Sequence, residues 1–319
     1  MIPYTWIEQA HARIFAYIVR TPVTFDPELN IYLKWDNQQV TSSFKARGAF
    51  NKVFSLQAWE LERGLVAASA GNHGQGVALA GSKAGARVLV FASEHAVQAK
   101  LDAMRSLGAE LRLVSGGYSE AERAGLEYAA ENGATWISPY NDGQVIAGQG
   151  TLVLETLVEL PELARATWVV PVSGGGLISG VGAALKEGGA HPQVKLVGVQ
   201  TEASPFMYGL YHFGTQDNAI ELPSLADGLA GPIEEGSITI PLVRQYVDDL
   251  ILVDESEVAH AIRHAWEKYH QRIEGSAAVS LAAILTNRVL DRPAVLVISG
   301  GNIQPEVHQE IVGGEAWKT

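Results

Sequence analysis

Gly64-Leu65-Val66-Ala67-Ala68-Ser69-Ala70-Gly71-Asn72-His73-Gly74-Gln75-Gly76 sets the architecture. A short apolar run bounded by glycine reads as a buried strand, and the small polar residues after it open a helix. Strand, loop and helix then recur. Beyond this stretch, strands are expected at 87–92, 110–114 and 135–138, with helices at 96–107 and 118–132 between them. After a helical stretch from about 145 to 160, strands are expected at 167–172, 195–200, 249–253 and 294–298. Helices are expected at 206–213, 257–272 and 277–288, the last apolar enough to be largely buried, while 218–232 has no period. Before it lie a helix over 6–18 closed by Thr21-Pro22, a strand over 30–35, and a helix from Lys45 to about Leu56. The alternation predicts an α/β fold with largely parallel sheets, and Tyr140-Asn141-Asp142-Gly143 is the boundary after the first block.

The chain has 319 residues, 23 basic against 35 acidic, a net charge of -12, and no cysteine. The missing thiols exclude disulfides, thiolate zinc sites, iron–sulfur ligation and cysteine nucleophiles. No basic stripe stands out, which argues against nucleic acid or an anionic membrane surface as partner. Residues 1–20 lack the pattern of a secretory leader, and no apolar run reaches about 18 residues, so a cytoplasmic location is expected.

Four loops carry candidate chemistry. In Thr41-Ser42-Ser43-Phe44-Lys45-Ala46-Arg47-Gly48-Ala49 a lysine follows an aromatic ring and three hydroxyl residues that favour a helix start. A lysine in a part-desolvated pocket becomes a usable amine nucleophile, able to form a Schiff base; the alternative is that Lys45 and Arg47 are solvated surface charges. The Ser69–His73 loop opens a helix, where backbone N–H groups and the helix dipole suit a carboxylate. In Ser173-Gly174-Gly175-Gly176-Leu177-Ile178-Ser179-Gly180 consecutive N–H donors can wrap a phosphate. The spacing of Gly174, Gly176 and Gly180 is one residue too long for a dinucleotide fingerprint, so a single phosphate fits better than a pyrophosphate. Ser299, opening Ser299-Gly300-Gly301-Asn302 after the last strand, can hydrogen-bond a ring nitrogen without giving it a full charge.

An amine nucleophile, an anion loop, a single-phosphate loop and a polar group for an aromatic nitrogen are the parts that hold pyridoxal 5′-phosphate and an amino acid. Ser43-Phe44-Lys45-Ala46-Arg47-Gly48, Ser69-Ala70-Gly71-Asn72-His73, Ile146-Ala147-Gly148-Gln149-Gly150-Thr151, Ser173-Gly174-Gly175-Gly176-Leu177, Ala226-Asp227-Gly228 and Ser299-Gly300-Gly301-Asn302 follow in that order. Over nearly the whole chain this resembles the fold-type II pyridoxal-phosphate enzymes, specifically the threonine/serine dehydratase and serine racemase branch. The resemblance implies two open, mostly parallel sheets flanked by helices, with the cofactor in the cleft between two domains. Residues 1–45 and 144–319 would form the large cofactor-binding domain, and 46–143 the small mobile domain with the substrate carboxylate loop. It also implies that Lys45 is the Schiff-base lysine and catalytic base, with Phe44 against the cofactor and Asn72 on its 3′ oxygen. Gly174, Gly175, Gly176 and Leu177 would hold its phosphate, Ser299 its ring nitrogen, and Gly228 and Glu274 would wall it. Ser69, Ala70, Gly71, Asn72 and His73 would bind the substrate carboxylate. Glu274 is followed by Gly275, where relatives often have proline. A homodimer or higher homo-oligomer is implied as well.

By the same resemblance, the reaction is dehydration and deamination of a small L-hydroxyamino acid, L-threonine or L-serine, to a 2-oxo acid and ammonia. A hydroxyl such as Ser299 makes a weaker electron sink than a carboxylate would, which favours rapid loss of a β-leaving group. Racemases of the branch place a serine where this chain has Ala70, which makes serine racemase the runner-up, with 3-hydroxyaspartate ammonia-lyase also open. A catalytically silent cofactor-binding carrier or sensor is the non-enzyme alternative. Where many relatives bind a divalent cation, the chain has Gln200, Ser204 and Phe206, so no metal site is expected. The short segment after Ser299 resembles the degradative form of threonine dehydratase rather than the long regulated one.

Overall fold

The computed structural model describes residues 1–189 and 194–314. Its strands are β1 (Val23–Asp26), β2 (Ile31–Trp35), β3 (Leu65–Ala68), β4 (Val88–Ser93), β5 (Glu110–Val114), β6 (Thr135–Trp136), β7 (Thr167–Pro171), β8 (Lys195–Thr201), β9 (Asp249–Val253) and β10 (Ala294–Ile298). They form a six-stranded sheet in the order β1-β2-β10-β7-β8-β9 and a four-stranded sheet in the order β5-β4-β3-β6. Every neighbouring pair is parallel except β1–β2, which closes one edge of the larger sheet as a hairpin.

The central strands read as continuous apolar runs because both faces are covered: every residue of β3, β7 and β10 is buried. One face of the larger sheet packs under the helix Gly275–Leu285, buried from Gly275 through Ile284 as its composition predicts. The opposite face packs on the helices Gly143–Glu159 and Gly176–Lys186. The helix Lys45–Phe54 lies between the helix Gly143–Glu159 and the helix Asn72–Ala84 of the smaller sheet, joining the two halves.

The predicted alternation holds, with local differences. The first helix is Tyr4–Ile14 and stops well short of Pro22. There the Gln39 side chain takes both backbone groups of Val19, and Tyr17 stacks on Phe50 and Phe54, so the chain leaves the helix early. The unpredicted β1 is a short edge strand whose burial does not alternate. Helices at Ala58–Glu62, Thr239–Tyr246 and Pro305–Val312 were also not predicted, and the strand expected at 135–138 shortens to two residues.

Candidate active site

The predicted loops all leave the carboxyl ends of parallel strands, where open α/β sheets bind ligands. The loop after β10 and the segment before Lys45 are zipped together by backbone. Phe44 N–H donates to the Ser299 carbonyl (3.0 Å), Gly301 N–H donates to the Ser42 carbonyl (2.9 Å), and Ser43 bridges Gly300. The three hydroxyl residues do not act as the helix start predicted for them. Thr41 and Ser42 have φ of 62° and 54°, and Phe44 stands at the cap position, although Ser43 Oγ still accepts the Lys45 N–H (3.3 Å). This turn fits the Lys45 backbone to the strand-end loop.

Arg47, two residues on, is not the solvated charge that a surface helix would carry. Its guanidinium is fully buried and forks onto both oxygens of Asp36 (2.7 and 2.9 Å) and both of Glu155 (2.7 and 2.9 Å). Lys34 Nζ completes the group on Glu155 Oε2 (3.0 Å), so two buried cations face two buried anions. The network ties β2 and the helix Gly143–Glu159 to the first turn of the Lys45 helix. The sequence signal was a charge inside an apolar strand and another inside an apolar helix.

Lys45 Nζ donates to the Pro139 carbonyl (2.9 Å) and lies 5.3 Å from the Phe44 ring centroid. Burial pulls its pKa down to about 8, opposed by the Glu274 carboxylate. Glu274 is itself pushed up to about 7, first by burial and then by Asp227, while Lys100 and the hydrogen bond from Asn72 work the other way. Asn72 Nδ2 donates to Glu274 Oε1 (2.7 Å), and Asn302 Nδ2 donates to Asn72 Oδ1 (2.6 Å). One amide hydrogen of Asn72 remains for a ligand.

In the loop after β3, Ser69 Oγ accepts the Gly71 N–H (3.0 Å), and Gly71 caps the helix Asn72–Ala84. Ala70 is exposed. His73 is buried with Nε2 2.8 Å from the Ile137 carbonyl; burial, reinforced by Lys45, lowers its pKa to about 3, so it stays neutral. In the loop after β7, Gly175 takes φ 84°, and Gly176 and Leu177 open the helix Gly176–Lys186. A Cβ on Gly174 would sit 2.4 Å from the Tyr140 ring. Sequence reasoning missed Tyr140, which packs on the glycine loop while its hydroxyl accepts the Glu234 N–H (3.0 Å). Gly228 lies on the exposed rim, where an added Cβ would be 2.8 Å from Ser276 Oγ. Ser299 is buried at the end of β10.

These groups fit pyridoxal phosphate. The glycine loop packs so closely on Tyr140 that Gly174 and Gly176 admit no Cβ, the lysine is desolvated, and the Thr41 and Ser276 hydroxyls nearby are buried with no partner among the described residues. At the positions where a cation was considered, Gln200 Oε1 accepts the Tyr208 N–H (2.7 Å) and Ser204 Oγ accepts the Gly231 N–H (3.2 Å). Phe206 is buried in the core. Among the described residues no cluster of three or more His, Cys, Asp or Glu is arranged to hold a metal, and no helix is long and apolar enough to cross a membrane.

A family model described as "Pyridoxal-phosphate dependent enzyme" matches residues 14–300. The L-threonine ammonia-lyase of Thermotoga maritima is 40% identical over 319 residues, covering 98% of this chain and 78% of that protein. The structure of maize serine racemase superposes with a TM-score of 0.88 at 31% identity, covering 96% of this chain and 95% of that one. The processed threonine deaminase isoform 2 from Solanum lycopersicum gives 0.88 at 28% identity, covering 97% and 92%. Family model, full-length likeness and the lysine–glycine-loop geometry agree that this chain belongs to the pyridoxal-phosphate-dependent enzymes.

Proposed function

We propose that this chain dehydrates and deaminates a small L-hydroxyamino acid, converting L-threonine to 2-oxobutanoate and ammonia, L-serine to pyruvate and ammonia, or both. The observation that carries the reading is the desolvated Lys45 amine in a site whose carboxylate loop exposes Ala70, a residue with no proton to give. Lys45 would hold the cofactor's aldehyde carbon. Gly174, Gly175, Gly176 and Leu177 would grip its phosphate through backbone N–H groups, and Ser299 would meet its ring nitrogen. Phe44, Gly228 and Glu274 would wall it, and the spare Asn72 N–H would reach its 3′ oxygen. Pyridoxal phosphate, when bound, supplies the electron sink that makes the substrate Cα–H acidic.

The chain's own residues do the rest. Backbone N–H groups at Ser69–His73 would bind the substrate carboxylate and fix the face presented to Lys45. An amine with pKa about 8 is partly neutral near neutral pH, so Lys45, once free, removes the Cα proton as general base. Ala70 offers no acid on the opposite face, so the proton is not returned with inversion, and the exit is loss of the β-hydroxyl, which takes up a proton and leaves as water. Residues 1–45 with 144–319, and 46–143, are proposed as the two domains, the second moving to close the carboxylate loop. A homo-oligomer and a cytoplasmic location belong to the same proposal.

Steady-state assays with L-threonine, L-serine and L-threo-3-hydroxyaspartate, scoring 2-oxo acid and D-amino acid together, test it. Ketoacid from L-threonine or L-serine, lost in Lys45→Ala, is the expected result. D-amino acid as the main product makes the chain a racemase, main turnover of 3-hydroxyaspartate reassigns the substrate, and binding of cofactor without turnover makes it a carrier.

A further inference from the structure

The carboxylate loop has a charge problem. Ser69, Ala70, Gly71 and Asn72 are neutral, and His73 spends its Nε2 on the Ile137 carbonyl and stays uncharged. The ligand expected there is an anion, the buried Glu274 lies beside it on Asn72, and the chain as a whole carries a net charge of -12. The N–H groups and helix dipole at this loop favour a carboxylate, but Glu274 and the net negative charge work against them.

A cation besides Lys45 stands at this loop. Lys100, from the helix Gln98–Ser106, runs along Gly71: a Cβ built there would lie 3.6 Å from Lys100 Cδ and 4.0 Å from Nζ. Its side chain is largely covered, 19% exposed, and its ammonium donates to Asp227 Oδ2 (2.8 Å). Asp227 is 61% exposed and precedes Gly228 on the opposite wall. The pair therefore spans the mouth between the carboxylate loop and the cofactor wall. An ammonium has three hydrogens, and an exposed carboxylate is a partner that can be exchanged for another at little cost.

We propose that Lys100 is the cation that draws in and orients the substrate carboxylate at residues 69–73, and that Asp227 holds its ammonium ready at the mouth between substrate encounters. This rests on the amino-acid reaction proposed above. When substrate arrives, Lys100 shares or transfers its ion pair from Asp227 to the incoming carboxylate. Lys100 is a positioning residue for binding and takes no proton in the chemistry.

The test compares the holoenzyme with Lys100→Met, Lys100→Arg and Asp227→Asn. KM and kcat for L-threonine are measured across roughly 50 to 500 mM salt. Calorimetric affinity is measured for L-alanine, which has a carboxylate but no leaving group. Lys100→Met is expected to raise both KM and the L-alanine Kd roughly tenfold, with kcat changed less than about threefold, and to lose the salt dependence of the wild type. Lys100→Arg is expected to recover most of the affinity, and Asp227→Asn to lower KM by releasing the ammonium. Unchanged KM, L-alanine affinity and salt dependence in Lys100→Met overturn the inference. So does Asp227→Asn that raises KM as far as Lys100→Met does, because the pair is then a clasp between the two walls. A wild type that makes no 2-oxo acid, yet loses L-alanine affinity in Lys100→Met, refutes the reaction and leaves the role of Lys100 standing.

Discussion

Replacing Arg47 by methionine tests the buried network beneath the lysine. Arg47 and Asp36 are 0% exposed, Glu155 5% and Lys34 1%, so two cations and two anions balance with almost no water. Methionine fills much of the space but leaves two carboxylates facing one ammonium. Breaking a buried pair in this way costs about 3–5 kcal/mol, because the remaining charge stays desolvated. Set against a total stability of about 5–15 kcal/mol, that is a large share. In the wild type Arg47 holds the Asp36 carboxyl below its usual range, so its stabilisation is full above that range and is lost as the pH falls through the depressed pKa. In Arg47→Met the uncompensated carboxyl is pushed the other way and regains stability by taking up a proton. The deficit relative to wild type should therefore narrow from roughly pH 8 to roughly pH 6. Urea unfolding followed by tryptophan fluorescence and circular dichroism at both pH values measures it. A loss below about 1 kcal/mol that is flat with pH would refute the reasoning, since it would mean that the four groups are hydrated or independent.

Ala70→Ser restores a proton carrier to the exposed face and is expected to raise D-serine formation from L-serine; chiral chromatography showing no gain counts against the role given to position 70. Gly174→Ala puts a methyl 2.4 Å from the Tyr140 ring, so cofactor affinity, followed by absorbance titration of apoprotein, is expected to fall at least about tenfold. Capture of added cofactor by apoprotein should speed up as the pH rises through about 8, where Lys45 loses its proton. Glu274→Gln removes the carboxylate that holds that pKa up, so the midpoint should move to lower pH, and an unmoved midpoint contradicts the coupling. Turnover should survive a chelator, given Gln200, Ser204 and Phe206 at the considered cation positions; loss restored by magnesium would reverse that reading.

Much of this was legible because the chemistry lies in local patterns. A strand followed by Ser-Gly-Gly-Gly or Ser-Gly-Gly-Asn points to a parallel sheet and its carboxyl end, so the placement of Gly174 and Ser299 just past β7 and β10 was readable along with the strands. Residues recruited from a distance were not legible. Arg47 looks like any helix charge until Asp36 and Glu155 close around it, and Tyr140 gives no sign of the glycine loop on which it packs. Lys100 is one of several charges on an amphipathic helix and gains meaning only from Gly71 and Asp227. At Gly275, where the resemblance leads one to look for proline, a Cβ would lie 2.1 Å from the Leu225 carbonyl oxygen, so this backbone admits glycine and would have to shift for a larger residue.

The hydrogen bonds divide the work between the two halves of the site. Lys45 and Ser299 ride on one block, joined by Phe44 N–H to the Ser299 carbonyl, the Ser43–Gly300 bridge and Gly301 N–H to the Ser42 carbonyl. The backbone leading into Lys45 and the proposed ring-nitrogen partner are therefore held together, while the amine itself also reaches the Pro139 carbonyl beyond β6 of the smaller sheet. The carboxylate loop belongs to that smaller sheet, and its ties across the cleft include the Asn72 amide on Glu274 and Asn302 and the Lys100 ammonium on Asp227. These polar contacts break and reform readily, whereas the helix Asn72–Ala84 is also packed on the helix Lys45–Phe54 through an apolar core. Motion of the proposed domain 46–143 would then have to slide the helix Asn72–Ala84 on the helix Lys45–Phe54, whose first turn Arg47 locks to Asp36 and Glu155. Such a slide would change how the substrate carboxylate is held while the Arg47 network keeps the proposed base in register.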